Sequence, residues 1–513
     1  MANIQTTICP HTQEPLLTRQ YPTASDLDIA IQKSSAAQTK WAKVPLEERI
    51  AIGRKFAGAF REMGKDDTIP KSLSFEMGRP ISQGPGEVRG FLERTEYLLS
   101  IASTSLSDVA LTDTDKPGFK RFIKRVPHGV VFVIAPWNFP YLVSINSVLP
   151  AILAGNSVLI KPSPQTPTTA EIIAACFETA GLPEDVIQVL HLPLELTTHV
   201  IQHPLVNFVS FTGSVVGGQA VEKAAVESRA VGFKGVALEL GGKDPAYVRA
   251  DADLQYTVAE LVDGAFFNSG QSCCAVERIY VHESIYEDFV SQFVEVVKVQ
   301  YKLGPPPEKG TNLGPVVSLA SAERIRKQIA DAVAAGAKAL VPEDLFPVAK
   351  VGTTYVAPQV LVDVNHEMDI MMEETFGPVV GIQRVSSDDE AIRLMNDSPY
   401  GLTASIWTNA SANPDSEEAF LKIADAIETG TVFLNRCDYL DPALAWTGVK
   451  NSGRGVSLSR FGMSADHLVS FLLYRDIRIR STYETEIDSY ENQDNMIAAG
   501  AEQGIGYTIL AFK

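Results

Sequence analysis

The chain has 513 residues, 45% of them hydrophobic, which is enough to bury large cores in more than one domain. Its 44 basic against 62 acidic residues leave a formal charge of −18, which repels nucleic-acid phosphates and argues against nucleic acid as a partner. Apolar runs such as Gly129–Trp137 stop well short of the roughly 20 residues a membrane-spanning helix needs, so no membrane partner is expected.

The first residues show neither the basic start and apolar core of a secretory signal nor the Arg-rich pattern of a transit peptide, so a cytoplasmic location is expected. Apolar residues at helical spacing predict helices over Asp26–Val44 and Leu46–Gly64. A stretch of mixed texture follows. From Phe119 to Pro127 apolar and basic side chains alternate with period two, as in a half-exposed hairpin strand, and Leu468–Ser481 is a candidate partner for it. Between Gly129 and Leu240 short β-rich runs (VVFVIA, SVLI, VIQVL, VNFVSF, GVALEL) alternate with helical segments such as Thr168–Ala180. That alternation predicts a parallel sheet covered by helices on both faces. The same texture returns after Gly242, with helices near Leu254–Phe267 and Tyr286–Val299 and strand-like runs RIYVH, TASIWT and TVFLN, which implies a second α/β unit. Residues from 482 onward read as a loose tail.

Five cysteines, Cys9, Cys176, Cys273, Cys274 and Cys437, show no CxxC spacing and no neighbouring histidine, so free thiols and no metal site are expected. Cys273 in NSGQSCCAVER follows small residues that allow close backbone approach to a ligand; it is either a nucleophile or an ordinary buried thiol. Glu239 in ALELGGKDPA ends an apolar strand before two glycines, at the carboxyl edge of the sheet. Burial there makes it a candidate general base; the alternative is a structural pair with Lys243. FTGSVVGG places Ser214, Gly213 and Gly218 where a strand opens into a helix, either a pyrophosphate cradle or a plain turn. Lys161 in LIKPSPQTP is a ribose ligand or a surface lysine, and Glu374 in EETFGPVV a ribose partner or a solvated acid. Asn138 in APWNFPY is a candidate oxyanion donor or a turn asparagine.

Together the motifs PWNFP, KPSPQTP, FTGS, LELGGK, GQSC, EETFGP and GVKNSGRG, in this order, resemble the aldehyde dehydrogenase superfamily, over about residues 20 to 480. The 34 residues from Glu239 to Cys273 match the usual family spacing. The resemblance implies a Rossmann-like cofactor domain (1–108 and 128–240), an α/β catalytic domain (241–450), a small β oligomerisation arm (109–127 and 451–481) and a tail (482–513). It implies NAD or NADP as cofactor, a small-molecule aldehyde as substrate and a homodimer or homotetramer. Cys273 is then the nucleophile that forms a hemithioacetal and a thioester, Glu239 the base for hydrolysis, and Asn138 with the Cys273 amide the oxyanion hole. Lys161, Ser163, Ser214, Gly213, Gly218, Trp137, Phe376 and Glu374 become cofactor contacts, and Trp446 a wall of an apolar-leaning substrate pocket.

Three departures from the family pattern stand out. Pro164 replaces the Glu that many NAD-preferring members carry three residues after the lysine, so NADP should be tolerated. Ser147 replaces a lysine thought to relay protons to the base, and AWTGVK replaces a proline-aromatic-glycine-glycine run. Two rivals are an acylating, coenzyme A-dependent enzyme, which retention of Glu239 opposes, and a thiol hydrolase pairing Cys273 with a histidine, for which no motif speaks. A third is a catalytically silent relative.

Overall fold

The computed structural model describes residues 4–110, 122–228, 233–410, 412–465 and 509–511. It begins with an antiparallel hairpin of β1 (Ile4–Ile8) and β2 (Pro15–Gln20). Four helices follow: α1 (Ala24–Trp41), α2 (Leu46–Met63), α3 (Thr68–Met77) and α4 (Gly84–Leu106). Thr23 and Asp26 form a reciprocal capping box at the start of α1, and Gly64 ends α2, so both predicted helices have local causes. The stretch of mixed texture holds α3 and α4, the latter 23 residues long. A short antiparallel ladder, β3 (Val109–Ala110) with β4 (Phe122–Ile123), closes the base of the expected hairpin. Residues 111–121 and the expected partner segment Leu468–Ser481 lie outside the described residues.

Two mostly parallel sheets dominate. In the first, β5 (Val130–Ile134), β6 (Ser157–Lys161), β7 (Ile187–Val189), β8 (Val206–Thr212) and β9 (Gly235–Glu239) run parallel in the order 9-8-5-6-7. A two-residue antiparallel strand, β17 (Gly453–Arg454), edges it beside β9. Helices α5 (Pro140–Ala154), α6 (Pro167–Thr179), α7 (Leu194–Gln202) and α8 (Val215–Val226) connect these strands. Every residue of β5 is buried, as a strand covered on both faces requires. Val131 and Val133 enter a core shared with α2, α4, α5 and α6, whereas Val130, Phe132 and Ile134 enter one shared with α1, α7 and α8. The chain reverses direction across the sheet between β5 and β8, and it is outside the carboxyl ends at such a switch that a crevice opens.

The second sheet has β10 (Asp244–Val248), β11 (Val276–His282), β12 (Lys338–Ala339), β13 (Gln359–Val362), β14 (Val379–Val385), β15 (Thr403–Trp407), β16 (Thr431–Leu434) and β18 (Ile509–Ala511) in the order 12-13-14-11-10-15-16-18. Only β12 pairs antiparallel. Helices α9 (Leu254–Phe266), α10 (Tyr286–Gln300) and α11 (Leu319–Ala334) pack on it. The β1–β2 hairpin touches both halves of the molecule. Thr7 Oγ1 donates to the Pro164 carbonyl at 2.7 Å on the first half, and Thr354 Oγ1 on the second donates to Pro10 at 2.6 Å. No helix among the described residues is long and apolar enough to cross a membrane.

Candidate active site

A cleft of about 850 Å³ lies where the carboxyl ends of the first sheet face the loops of the second. Strand ends supply one wall. Ile134 leads into Trp137 and Asn138 before α5 begins; Lys161 ends β6, with Ser163 just beyond; Gly213 and Ser214 join β8 to α8; Glu239 ends β9. Each of these lines the cleft. Ser214 caps α8, its Oγ accepting from the Gly217 amide at 3.2 Å, and its hydroxyl hydrogen remains available. Gly218, by contrast, does not reach the cleft. Its amide donates to the Ser214 carbonyl within the helix, and a Cβ on it would lie 2.7 Å from the Leu240 side chain, so the absence of a side chain here lets α8 pack against Leu240.

The second half brings Cys273, Glu374, Phe376 and Trp446 to the same cleft. All five cysteines are free thiols, and among them Cys273 alone is not buried. Its loop is unusual, because Asn268, Ser269 and Gly270 in succession adopt left-handed backbone, with φ of 52°, 59° and 69°. Non-glycine residues persist there only where the surroundings over-determine them. Here Ser269 Oγ donates to the Gly314 carbonyl at 2.9 Å, and Gln271 Oε1 accepts the Val317 amide at 2.8 Å. Asn138 is fixed by the same loop: one hydrogen of its side-chain amide goes to the Gln271 carbonyl at 3.2 Å, leaving the other for the cleft. The Cys273 amide has no protein acceptor among the described residues. Trp446 packs in a small apolar cluster with Leu402, Cys274 and Leu458, against Cys273 and Leu440.

Two buried ion pairs that sequence reading missed hold these groups. Arg79, in the turn after α3, pairs with Glu87 on α4, both essentially without exposure. The same guanidinium donates to Asn268 Oδ1 at 3.2 Å and to the Asn138 carbonyl, and lies 4.4 Å over the Phe139 ring. Glu87 accepts the Tyr141 and Leu142 amides at 3.0 and 3.1 Å, at the start of α5. The second pair corrects the alternative weighed for Glu239. Lys243 bonds Glu277 at 2.5 Å, not Glu239, and Glu277 accepts the amides of Thr375 and Phe376, both at 2.8 Å. It thereby fixes the loop that carries Glu374 and Phe376, the latter ring meeting Trp137 edge-on at 5.6 Å. The two glycines of LELGGK have a steric reason. A Cβ at Gly241 would strike the Glu374 carboxylate, and one at Gly242 the Cys273 carbonyl.

Burial shifts the site's titrations. Desolvation raises the Glu239 carboxyl above the ordinary range against the opposing pull of Ser457, Arg94 and Thr212. Glu374 is pushed up to about 7 by burial and then by repulsion from Glu277, while burial draws Lys161 down to about 8. Burial likewise raises Asp438 to about 6, although Cys274 and Ser272, which flank Cys273, both donate to its Oδ1 at 3.0 and 2.8 Å. Ser147 shares a 2.8 Å hydrogen bond with Ser210, so no cation stands at that position; the cation electrostatically coupled to Glu239 is Arg94, on α4. The Trp446 end of the cleft is also less apolar than that residue suggests, since Arg94, Asn146 and Asp438 share its walls. Among the described residues no histidine lines the cleft.

Residues 2–467 match the family model described as the aldehyde dehydrogenase family. The chain is 33% identical to the probable betaine aldehyde dehydrogenase of Schizosaccharomyces pombe, over 89% of each chain. It is 33% identical to the vanillin dehydrogenase of Corynebacterium glutamicum, over 88% of this chain and 90% of that one. Among solved structures, the succinic semialdehyde dehydrogenase from Streptococcus pyogenes in complex with NADP+ superposes with a TM-score of 0.83 at 29% identity, covering 90% of this chain and 98% of that one.

Proposed function

The chain belongs to the aldehyde dehydrogenase family, and from that premise we propose how its residues oxidise an aldehyde to a carboxylic acid with NAD or NADP. The reading rests above all on one observation: the least buried thiol, Cys273, shares a cleft with the desolvated carboxyl Glu239 and with Asn138, whose side chain keeps a free N–H. The Cys273 thiolate attacks the aldehyde carbon, giving a hemithioacetal whose oxyanion is met by the Asn138 Nδ2–H and the Cys273 amide. When bound, the dinucleotide supplies the hydride acceptor. Glu239 takes a proton from water, which cleaves the resulting thioester and frees the acid. A thiol hydrolase would need a histidine beside Cys273, and none lines the cleft among the described residues. Retention of Glu239 favours water over coenzyme A as the acyl acceptor.

The other end of the cleft fits a dinucleotide. Lys161 is largely buried, yet its ammonium finds only the Pro162 carbonyl at 3.3 Å among the described residues, and Ser214 offers a hydroxyl at the start of α8. Lys161 and Glu374 are assigned to the adenosine-side and nicotinamide-side riboses, Ser214 and Gly213 to the pyrophosphate, and Trp137, Ser163 and Phe376 to the walls around them. No carboxylate occupies the position of Pro164, so a 2′-phosphate meets no fixed negative charge there. The division into cofactor domain (1–108, 128–240), catalytic domain (241–450) and oligomerisation arm (109–127, 451–481) is part of the same proposal, as are a homo-oligomer and a cytoplasmic location. The deciding experiment follows absorbance at 340 nm for a panel of aldehydes with NAD and with NADP, beside Cys273→Ala. Turnover confined to the parent supports the assignment, whereas equal turnover in the variant removes Cys273 from the chemistry.

A further inference from the structure

The relatives' names cover a cationic, an aromatic and an anionic aldehyde, so they do not select this chain's substrate. The cleft walls do. Arg94 projects from the middle of α4 and is only 7% exposed. One nitrogen, Nη1, is engaged, donating to the Leu142 carbonyl at 2.7 Å and to Asn146 Oδ1 at 3.2 Å, both on α5. No carboxylate lies within ion-pair distance of it among the described residues, and its Nε and Nη2 have no protein acceptor there. Beside it, Asn146 is 4% exposed, and its Nδ2 is buried without a partner. Both residues line the cleft, and Arg94's electrostatic neighbours include Glu239 and Cys274, which places it at the reacting end rather than the dinucleotide end.

An unpaired buried guanidinium is costly, and one next to an unsatisfied amide N–H marks a place where a ligand supplies the missing acceptors. Glu239 is an electrostatic neighbour of Arg94 without being an ion-pair partner, and three other acids nearby are engaged elsewhere. Glu87 belongs to Arg79, Asp438 accepts Ser272 and Cys274, and Glu260 holds Arg436 at 2.7 Å. Arg89 and Glu93, exposed residues of opposite sign on the same helix, leave the mouth without a net bias. Resting on the oxidation reading above, we propose that Arg94 and Asn146 form an anion subsite and that the enzyme's substrate is an aldehyde bearing a carboxylate, an oxo acid. Arg94 is a specificity residue here: its planar fork accepts a carboxylate in a bidentate way while the aldehyde end faces Cys273.

The test compares a four-carbon ω-oxo acid with its methyl ester, and Arg94→Gln and Arg94→Lys with the parent; the same proteins are melted with and without succinate, a diacid resembling the product. The parent is expected to favour the acid over the ester at least tenfold in kcat/KM. Arg94→Gln should erase that preference through a rise in KM for the acid, and Arg94→Lys should restore part of it. Succinate should raise the Tm of the parent and not of Arg94→Gln. Equal use of acid and ester by the parent, or equal loss of both in Arg94→Gln, overturns the subsite and leaves the oxidation reading standing. An Arg94-dependent succinate shift without turnover of any aldehyde supports the subsite and overturns the oxidation reading.

Discussion

The two ends of the cleft are built in different ways. At the dinucleotide end the side chains supplied by the first sheet sit within a few residues of a strand terminus: Lys161 on β6, Ser163 just beyond it and Ser214 after β8. At the reacting end the groups come from segments far apart in sequence: Arg94 from α4, Asn138 and Asn146 from α5 and the turn before it, Cys273 from a left-handed loop, Asp438 and Trp446 from the loop after β16. The first end inherits its geometry from the sheet. The second needs the buried Arg79–Glu87 pair to hold its parts in register, while Lys243–Glu277 fixes the loop that brings Glu374 and Phe376 to the cleft.

Removing atoms from the reacting end should have the largest effect. Cys273→Ala should lower kcat by on the order of 10⁴-fold or more, whereas Glu239→Gln should cost about 10²–10⁴-fold in steady state yet keep a pre-steady-state burst at 340 nm. Loss of that burst would move Glu239 to an earlier step. Because burial raises the Glu239 carboxyl, its carboxylate forms only above the ordinary carboxyl range. Turnover should therefore fall as pH drops through a limb above 4.5, and the limb should vanish in Glu239→Gln; a limb at 4.5 or below would contradict the desolvation.

The clamps come next. Glu277→Gln leaves Lys243 buried without its partner and should destabilise the fold by about 3–5 kcal/mol, seen as a lower Tm, with cofactor KM rising as the Glu374 loop loosens. An unchanged Tm would mean that water or Thr375 satisfies Lys243 alone. A smaller effect tests the dinucleotide end directly: kcat/KM for NAD and NADP should lie within about a hundredfold of each other, since Pro164 adds no charge. A wider gap in favour of NAD would mean that a group other than residue 164 discriminates against the 2′-phosphate. Smallest of all, Ser147→Ala removes one hydrogen bond to Ser210, a change of about 1 kcal/mol in stability, and should leave kcat within about threefold. A larger drop would place Ser147 in the proton path after all.

The same contrast governs what the sequence disclosed. Strand-end motifs were legible because a parallel strand reads as a continuous apolar run and the ligand residue follows directly, as with SVLI and Lys161. Lys161, Ser214 and Glu239 came from that rule, whereas the packing of Gly218 against Leu240 is a tertiary contact that no local pattern announces. α4 was hidden because Gly84, Pro85, Gly86 and Gly90 read as breakers; Pro85 lies in the first turn, where it is tolerated, and Gly90 lets Leu142 of α5 approach. With α4 went Glu87 and Arg94, and so the polar character of the substrate end. Arg79 and the Lys243–Glu277 pair were invisible for another reason, since 34 residues separate the second pair and no periodicity encodes a tertiary contact. The left-handed turn at Asn268 and Ser269 is likewise imposed from outside, through Arg79, Gly314 and Val317.

The β1–β2 hairpin gives the molecule a crossbar. With Thr7 fastened to Pro164 and Pro10 fastened to Thr354, any breathing of the cleft that parts the two sheets must stretch or release those bonds. His11 adds a third rivet, meeting the Tyr355 hydroxyl at 2.6 Å. The crossbar thus ties the cleft's two walls together from a position away from Cys273, as a staple across the hinge side of a book would.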